Sequence, residues 1–266
     1  MPQTASGAVR VAAGRLANHG QYQYRNQYQQ VIVADLSDYM ERSGFFGAHG
    51  QRIIHFAIAH LQPGDWAIDA GANVGLIAGP MAAAVGPTGC VWAIEPLPSN
   101  GTRLQALKDV NGLRQLEVMT VALGSTEATS RLHGSLRPGG SGSGSFVAPW
   151  ASHESVEVAM VRLDDLVARR APDAPLRLVK IDVEGSEPDL LAGAGVTLTK
   201  HRPLVICEFH DPLLRAAGSS SEDLLASFSQ LGYGPQAPFA RPRRSLQGRV
   251  CDLLLVPDEA RSRHGW

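Results

Sequence analysis

The chain has 266 residues, with 24 Lys and Arg against 25 Asp and Glu, so no global basic field draws it to nucleic acid or to an anionic membrane. Its 44% hydrophobic and 18% charged residues describe an ordinary globule of one large or two small domains, long enough to bury a core without disulfide or metal staples. Three cysteines, Cys90, Cys207 and Cys251, show neither paired nor zinc-like spacing, which argues against a disulfide framework and fits a reduced, cytoplasmic protein.

Residues 1–45 read as an N-terminal extension or cap and 46–266 as the main domain. The Ala-rich start, with Arg10 and Arg15, lacks the apolar core and cleavage pattern of a signal peptide, and no targeting leader is expected. The Gln/Tyr-rich run from Gln21 to Gln30 reads as a surface arm, Val31-Ile32-Val33 as a short strand, and Ile53 to Leu61 as a helix before the turn Gln62-Pro63-Gly64-Asp65. Short apolar runs then alternate with amphipathic ones. Strands are predicted at Trp66 to Ala70, Val91 to Ile94 and Leu116 to Val121, with helices at Leu76 to Val85 and Gly101 to Val110. The second of two such series has strands at Leu176 to Val183, Leu204 to Glu208 and Asp252 to Val256, and helices at Pro188 to Leu198 and Ser221 to Leu231. This alternation is that of βαβ units on a parallel sheet, an α/β fold. The most apolar stretch, Leu76 to Val85, contains Gly79 and Pro80 and falls far short of the roughly 20 residues that span a bilayer, so no membrane span is expected. Between the series, Gly134 to Ser145 has the composition of a flexible loop, and strand-like flanks at Thr129 to His133 and Ser155 to Val161 make it an inserted hairpin.

The sharpest local signal is Ile68-Asp69-Ala70-Gly71-Ala72-Asn73-Val74-Gly75, a strand ending in a glycine-rich turn that opens a helix. In an open α/β sheet, ligands bind beyond the carboxyl ends of the strands, and such a turn lets a ligand approach the backbone. The next strand ends in Glu95, where a carboxylate can accept hydrogen bonds from ribose hydroxyls. A dinucleotide fingerprint would place glycine where this chain has Asn73, which argues against an NAD-linked oxidoreductase. Asp69 would repel a pyrophosphate but suits a cationic amino group, and S-adenosylmethionine carries one.

These segments, with Glu95-Pro96, Leu163-Asp164-Asp165-Leu166 and Lys180-Ile181-Asp182-Val183-Glu184-Gly185-Ser186-Glu187, together resemble the FkbM family of S-adenosylmethionine-dependent methyltransferases, over about residues 45–256. The resemblance implies a class I, Rossmann-like methyltransferase fold. Its sheet would be seven-stranded and mostly parallel, with helices on both faces and an antiparallel final hairpin. It also implies methylation of a hydroxyl on a sugar, polyketide or other small metabolite. Carried onto this chain, Asp69, Gly71, Ala72, Asn73 and Gly75 would hold the methionine part of the cofactor and Glu95, with Pro96, the ribose; Ala122 and Leu123 would lie near the adenine. Asp182 and Glu184 would flank the departing methyl group. One departure is visible: Phe45-Phe46 is followed by Gly47, where the family often has an acidic residue.

An alcohol acceptor must lose its proton, and an unperturbed alcohol, like water with its pKa of about 16, is scarcely ionised at neutral pH. Asp182 and Glu184 stand two apart along a strand, so both side chains point the same way, and their repulsion would make one of them a better base. Glu184 is the expected base, with Asp182 and His210 as the other catalytic candidates. His210 has a competing reading as a turn histidine bonded to backbone, and Asp182, Glu208 and His210 together suggest a Mg²⁺ alternative to a metal-free site. Two further features are weighed: Arg241-Pro242-Arg243-Arg244 with Arg249 as a solvated basic loop or phosphate contact, and Trp150 with His153 as a flap over the acceptor. N- or carboxyl-methylation, and a silent cofactor-binding module, remain the alternatives to O-methylation of a small-molecule acceptor.

Overall fold

A computed structural model describes residues 21–47, 49–133, 145–146, 154–236 and 246–260. The described chain opens with an antiparallel hairpin, β1 (Gln21–Arg25) and β2 (Val31–Asp35), whose turn is held by the Asn26 carboxamide oxygen accepting from the Tyr28 and Gln30 amides at 3.0 Å each. Asp38 caps α1 (Tyr39–Phe45) by accepting from the Glu41 amide, and α2 (Gln51–His60) follows. The first half of the domain is β3 (Trp66–Ala70), α3 (Ala78–Val85), β4 (Cys90–Ile94), α4 (Pro98–Asn111) and β5 (Leu116–Met119). Next come β6 (Ala122–Leu123), β7 (Ala128–His133) and β8 (Ser155–Val161), a small separate sheet, and α5 (Leu163–Arg170). The second half is β9 (Leu176–Ile181), α6 (Glu187–Ala192), α7 (Gly195–His201), β10 (Leu204–His210), α8 (Asp211–Ala216), α9 (Ser221–Gln230), β11 (Tyr233–Gln236) and β12 (Val250–Pro257).

The seven-stranded sheet runs β5-β4-β3-β9-β10-β12-β11, parallel as far as β10 and antiparallel in its last two pairings, the class I methyltransferase arrangement expected above. Every residue of β3 and β4 is buried, as a sheet covered on both faces requires. Strand alternation divides them between two cores. Trp66, Ile68, Trp92 and Ile94 face one side, where the indoles of Trp66 and Trp92 meet edge-on at 4.8 Å; Ala67, Val91 and Ala93 face the other, under α2 and α3. The chain moves outward from β3 to β5 and then returns to β9 on the opposite flank of β3. At that reversal the carboxyl ends of the strands open a crevice.

The single helix expected at Pro188 to Leu198 is two, α6 and α7. Gly193 sits so close to the turn after β6 that a Cβ there would lie 2.0 Å from the Gly124 carbonyl oxygen, and Asp164 of α5 accepts from the amides of Val196 and Thr197 at 3.2 and 2.7 Å. The Leu-Asp-Asp-Leu segment therefore fastens one helix to the start of another. The expected insertion strands pair as β7 and β8. Residues 134–144 of that insertion, Trp150, His153 and Arg241 to Arg244 lie outside the described residues.

The N-terminal hairpin and α1 are built into the domain edge. Asn111 of α4 accepts from the Val31 amide at 2.7 Å and donates to the Val31 carbonyl at 2.8 Å, and Glu41 of α1 pairs with Arg103 of α4. No helix among the described residues is long and apolar enough to cross a membrane, and the three cysteines are free. Because Trp92 is fully buried between sheet and helices, Trp92→Ala is expected to cost about 3 to 5 kcal/mol, read as a lowered urea midpoint.

Candidate active site

The turn after β3 is shaped by backbone that side chains would obstruct. Gly71 has φ +78° and donates its amide to the Ile94 carbonyl at 2.9 Å; a Cβ on it would stand 1.8 Å from the Asp182 carbonyl oxygen. Gly75 has φ +89° and lies against Leu107 of α4. Between them Asn73 takes φ +50°, a left-handed conformation that Asn tolerates better than most residues, and its side-chain oxygen accepts from the Val74 amide.

Glu95 ties this turn to the next strand end. One carboxylate oxygen accepts from the Asn73 amide at 2.9 Å; the other accepts from the Leu97 amide at 3.0 Å and the Asn100 carboxamide at 3.3 Å. A carboxylate offers about four acceptor positions, which leaves one for a ligand hydroxyl in the cavity that Glu95 lines. Ala72, Pro96, Ala122 and Leu123 line the same cavity.

Sequence reasoning missed the group at the centre. Lys180, buried near the end of β9, donates to the Gly71 carbonyl at 2.9 Å and lies 3.3 Å from Asp69 and 3.2 Å from Asp182. Its two carboxylate neighbours outweigh burial and hold the ammonium well above the ordinary lysine range, so it stays charged. The one visible signal was a lysine inside an apolar strand. Asp69 is wholly buried; burial pushes its carboxyl up, while Lys180 and the Ala78 amide oppose that. A buried carboxylate at the cavity wall is suited to a cationic amino group.

The loop after β9 is a second left-handed turn. Glu184 has φ +53° and Gly185 φ +96°, and the buried Glu187 holds them by accepting from the amides of Val183 at 3.0 Å and Gly185 at 3.3 Å. Ser145, at the far end of the Gly/Ser-rich insertion, donates its hydroxyl to the Glu184 carbonyl at 2.9 Å. Asp182, Glu184 and Glu208 all line the cavity. Burial, helped by the charges of Asp182 and Glu187, pushes the Glu184 carboxyl up to about 7; burial with Asp182 and Glu184 pushes Glu208 up to about 9.

His210 stands apart. Its Nδ1 accepts from the Leu213 amide at 3.3 Å as the cap of α8, and it is not among the residues lining the cavity. The trio Asp182, Glu208 and His210 does not come together as a metal-holding group among the described residues. His49 and Phe146, which sequence reasoning passed over, do line the cavity.

The site therefore fits the sulfonium cofactor expected from the sequence: a Glu95 carboxylate with one acceptor position left for a ribose hydroxyl, a buried carboxylate at Asp69 for an amino group, and acidic walls for a cation. The Methyltransferase FkbM domain family matches residues 69–235. No curated protein matches the sequence. Solved structures with similarity include a methyltransferase FkbM from Methylobacillus flagellatus KT, at 16% identity and a TM-score of 0.46, covering 92% of this chain. This chain spans 59% of that protein's length. TYW2 from M. jannaschii, in complex with AdoMet, is 12% identical with a TM-score of 0.47, over 90% of this chain and 85% of its own. An SAM-dependent O-methyltransferase from Thermotoga maritima is 10% identical with a TM-score of 0.44, over 78% and 65%.

Lys180→Met removes the cation from between two carboxylates and is expected to cost about 3 to 5 kcal/mol. Adding Asp69→Asn should restore part of that loss, a coupling that a double-mutant cycle on unfolding midpoints will read.

Proposed function

The chain belongs to the FkbM methyltransferase family, which uses S-adenosylmethionine, and on that premise we propose that it methylates a hydroxyl of a small metabolite with Glu184 as the general base. The observation that carries this reading is Glu184 itself: a carboxylate held in left-handed backbone, lining the same cavity as Asp69, Glu95 and Asp182, with its pKa raised to about 7. A non-glycine residue kept at positive φ costs of order 1 to 3 kcal/mol, and such strain clusters where side-chain direction matters. A base is most effective when its pKa lies near the working pH.

When bound, S-adenosylmethionine supplies a methyl carbon whose bond to sulfur breaks as the acceptor oxygen forms its own, leaving S-adenosylhomocysteine. The protein's tasks follow from its geometry. Glu95 has a lone pair left for the ribose, and Asp69 receives the amino group. Ala122 and Leu123 give the adenine an apolar wall. Asp182 is held in place by Lys180 at 3.2 Å, and Glu184 takes the hydroxyl proton. Holding the acceptor in line is itself worth several kcal/mol, up to about 7 to 11 at the limit.

Glu184→Gln is expected to lower turnover by about 10² to 10⁴ while calorimetric affinity for S-adenosylmethionine persists. In the unmodified protein the rate should climb as pH rises through about 7, because below that value Glu184 is protonated and cannot accept. A flat profile, or a Gln variant at full rate, would remove the assignment. A second expectation concerns protons. At neutral pH Glu208, pushed up to about 9, holds its proton and Glu184, at about 7, is partly protonated, so a cation entering the cavity should displace protons from them. Titration with S-adenosylmethionine near neutral pH will then show an enthalpy that varies with buffer ionisation, less so with the uncharged thioether product, and Glu208→Gln will shrink the difference.

A further inference from the structure

The cofactor cavity continues past His49 and Leu76, which also line a second cleft. That cleft lies between the turn of the N-terminal hairpin, the end of α1 and the start of α2. Its neck is set by α1 lying directly on Leu76: a Cβ on Gly44 would stand 2.7 Å from that side chain. On the cavity side, His49 lines the same cavity as Lys180, Asp182 and Glu184.

The walls have a definite chemistry. Tyr24 meets Phe45 edge-on at 4.8 Å, and Phe45 meets Phe46 at 5.4 Å, giving an aromatic side. The other side is a chain of amides and hydroxyl: the Tyr28 hydroxyl donates to Gln51 Oε1 at 2.8 Å, Gln27 donates both to that oxygen and to Tyr28 Oη, and Gln51 donates to the His49 carbonyl at 3.2 Å. Such groups exchange hydrogen bonds with hydroxyls in either sense, while aromatic surfaces take the C–H faces of a ring. The one full charge on the wall, Arg25, is exposed and already donates to the Gln29 carbonyl. An anion would also meet the carboxylates Asp182, Glu184 and Glu208 beyond the neck. The half-buried His49 ring has no hydrogen-bond partner among the described residues, and burial with Lys180 holds it below the ordinary histidine range, so at neutral pH it offers one N–H and one lone pair.

We propose that this cleft is the acceptor subsite, that it takes an uncharged ring with hydroxyls on its rim, and that His49 at the neck holds the reacting hydroxyl where Glu184 receives its proton. The assignment rests on the methyltransferase reading above. The hairpin that forms one wall then belongs to the catalytic apparatus.

The test uses the full chain, tritiated S-adenosylmethionine, and methyl pyranosides of glucose, mannose and rhamnose as probes, with calorimetric cofactor affinity measured on every variant. At least one pyranoside should accept label. Gln51→Ala should raise its KM about tenfold, the loss of a hydrogen bond or two. His49→Ala should lower kcat by about 10², as a misplaced acceptor does, with cofactor affinity unchanged. His49→Gln, which keeps a donor and an acceptor, should recover part of that rate. Cofactor binding without transfer to any pyranoside overturns the subsite, and so does transfer that both alanine variants leave untouched. Failure to bind S-adenosylmethionine at all would overturn the methyltransferase reading and this proposal with it.

Discussion

The site depends on the contact between the turn after β3 and the end of β9. There the backbone of Gly71 runs so close to the Asp182 carbonyl that no side chain fits, and the Lys180 ammonium bridges the Gly71 carbonyl, Asp69 and Asp182. A buried ion pair is weak evidence of stability, since desolvation offsets much of the attraction. Its consequence here is registry. The strand end carrying the glycine-rich turn and the one carrying the acidic loop are locked in relative position, so the spacing between Asp69 and Asp182 is fixed by backbone contact and the shared Lys180.

Around that lock the protein keeps more carboxylates than its own cations neutralise. Burial and the neighbouring carboxylates push the Glu184, Glu187, Glu208 and Asp252 carboxyls up, and Lys180 is a buried cation that opposes this at Glu184 and Asp252. A surplus of negative charge in a partly dry cavity is unfavourable for the fold on its own. It is suited to a ligand that arrives positively charged and leaves neutral, because the electrostatic attraction falls once the methyl group has moved.

The sheet was legible because its strands are uniformly apolar and separated by glycine-rich turns, a pattern that burial on both faces imposes. Asp69 and Glu95 were legible because strand ends in such a sheet face the crevice, whereas Asp182 and Glu184, read as alternate residues of one strand, lie beyond its end at Ile181, with Glu184 in a left-handed turn held by Glu187. What escaped notice was decided by contacts distant in sequence. Lys180 looks like an interruption of a strand until Asp69 and Gly71 are placed beside it. The break between α6 and α7 is made by Asp164 and by the close approach of Gly193 to Gly124, neither of which periodicity reveals. β11 contains Gly234 and Pro235, which argue locally against a strand and are accommodated at the sheet edge. His210 has the residue type of a base, but its Nδ1 is committed to the Leu213 amide, a hydrogen bond only three residues long.

The hairpin at the start of the described chain forms its own two-stranded sheet, and Asn111 and the Glu41–Arg103 pair fasten it to α4. Its fastening is thus separate from the strand pairing that carries Asp69, Glu95 and Asp182. Substitutions in the hairpin turn can accumulate without disturbing those three carboxylates, whereas a change at Gly71 or Lys180 disturbs them at once. Selection can therefore redraw the hairpin turn while conserving the strand ends, so that the two vary on separate accounts within a single chain.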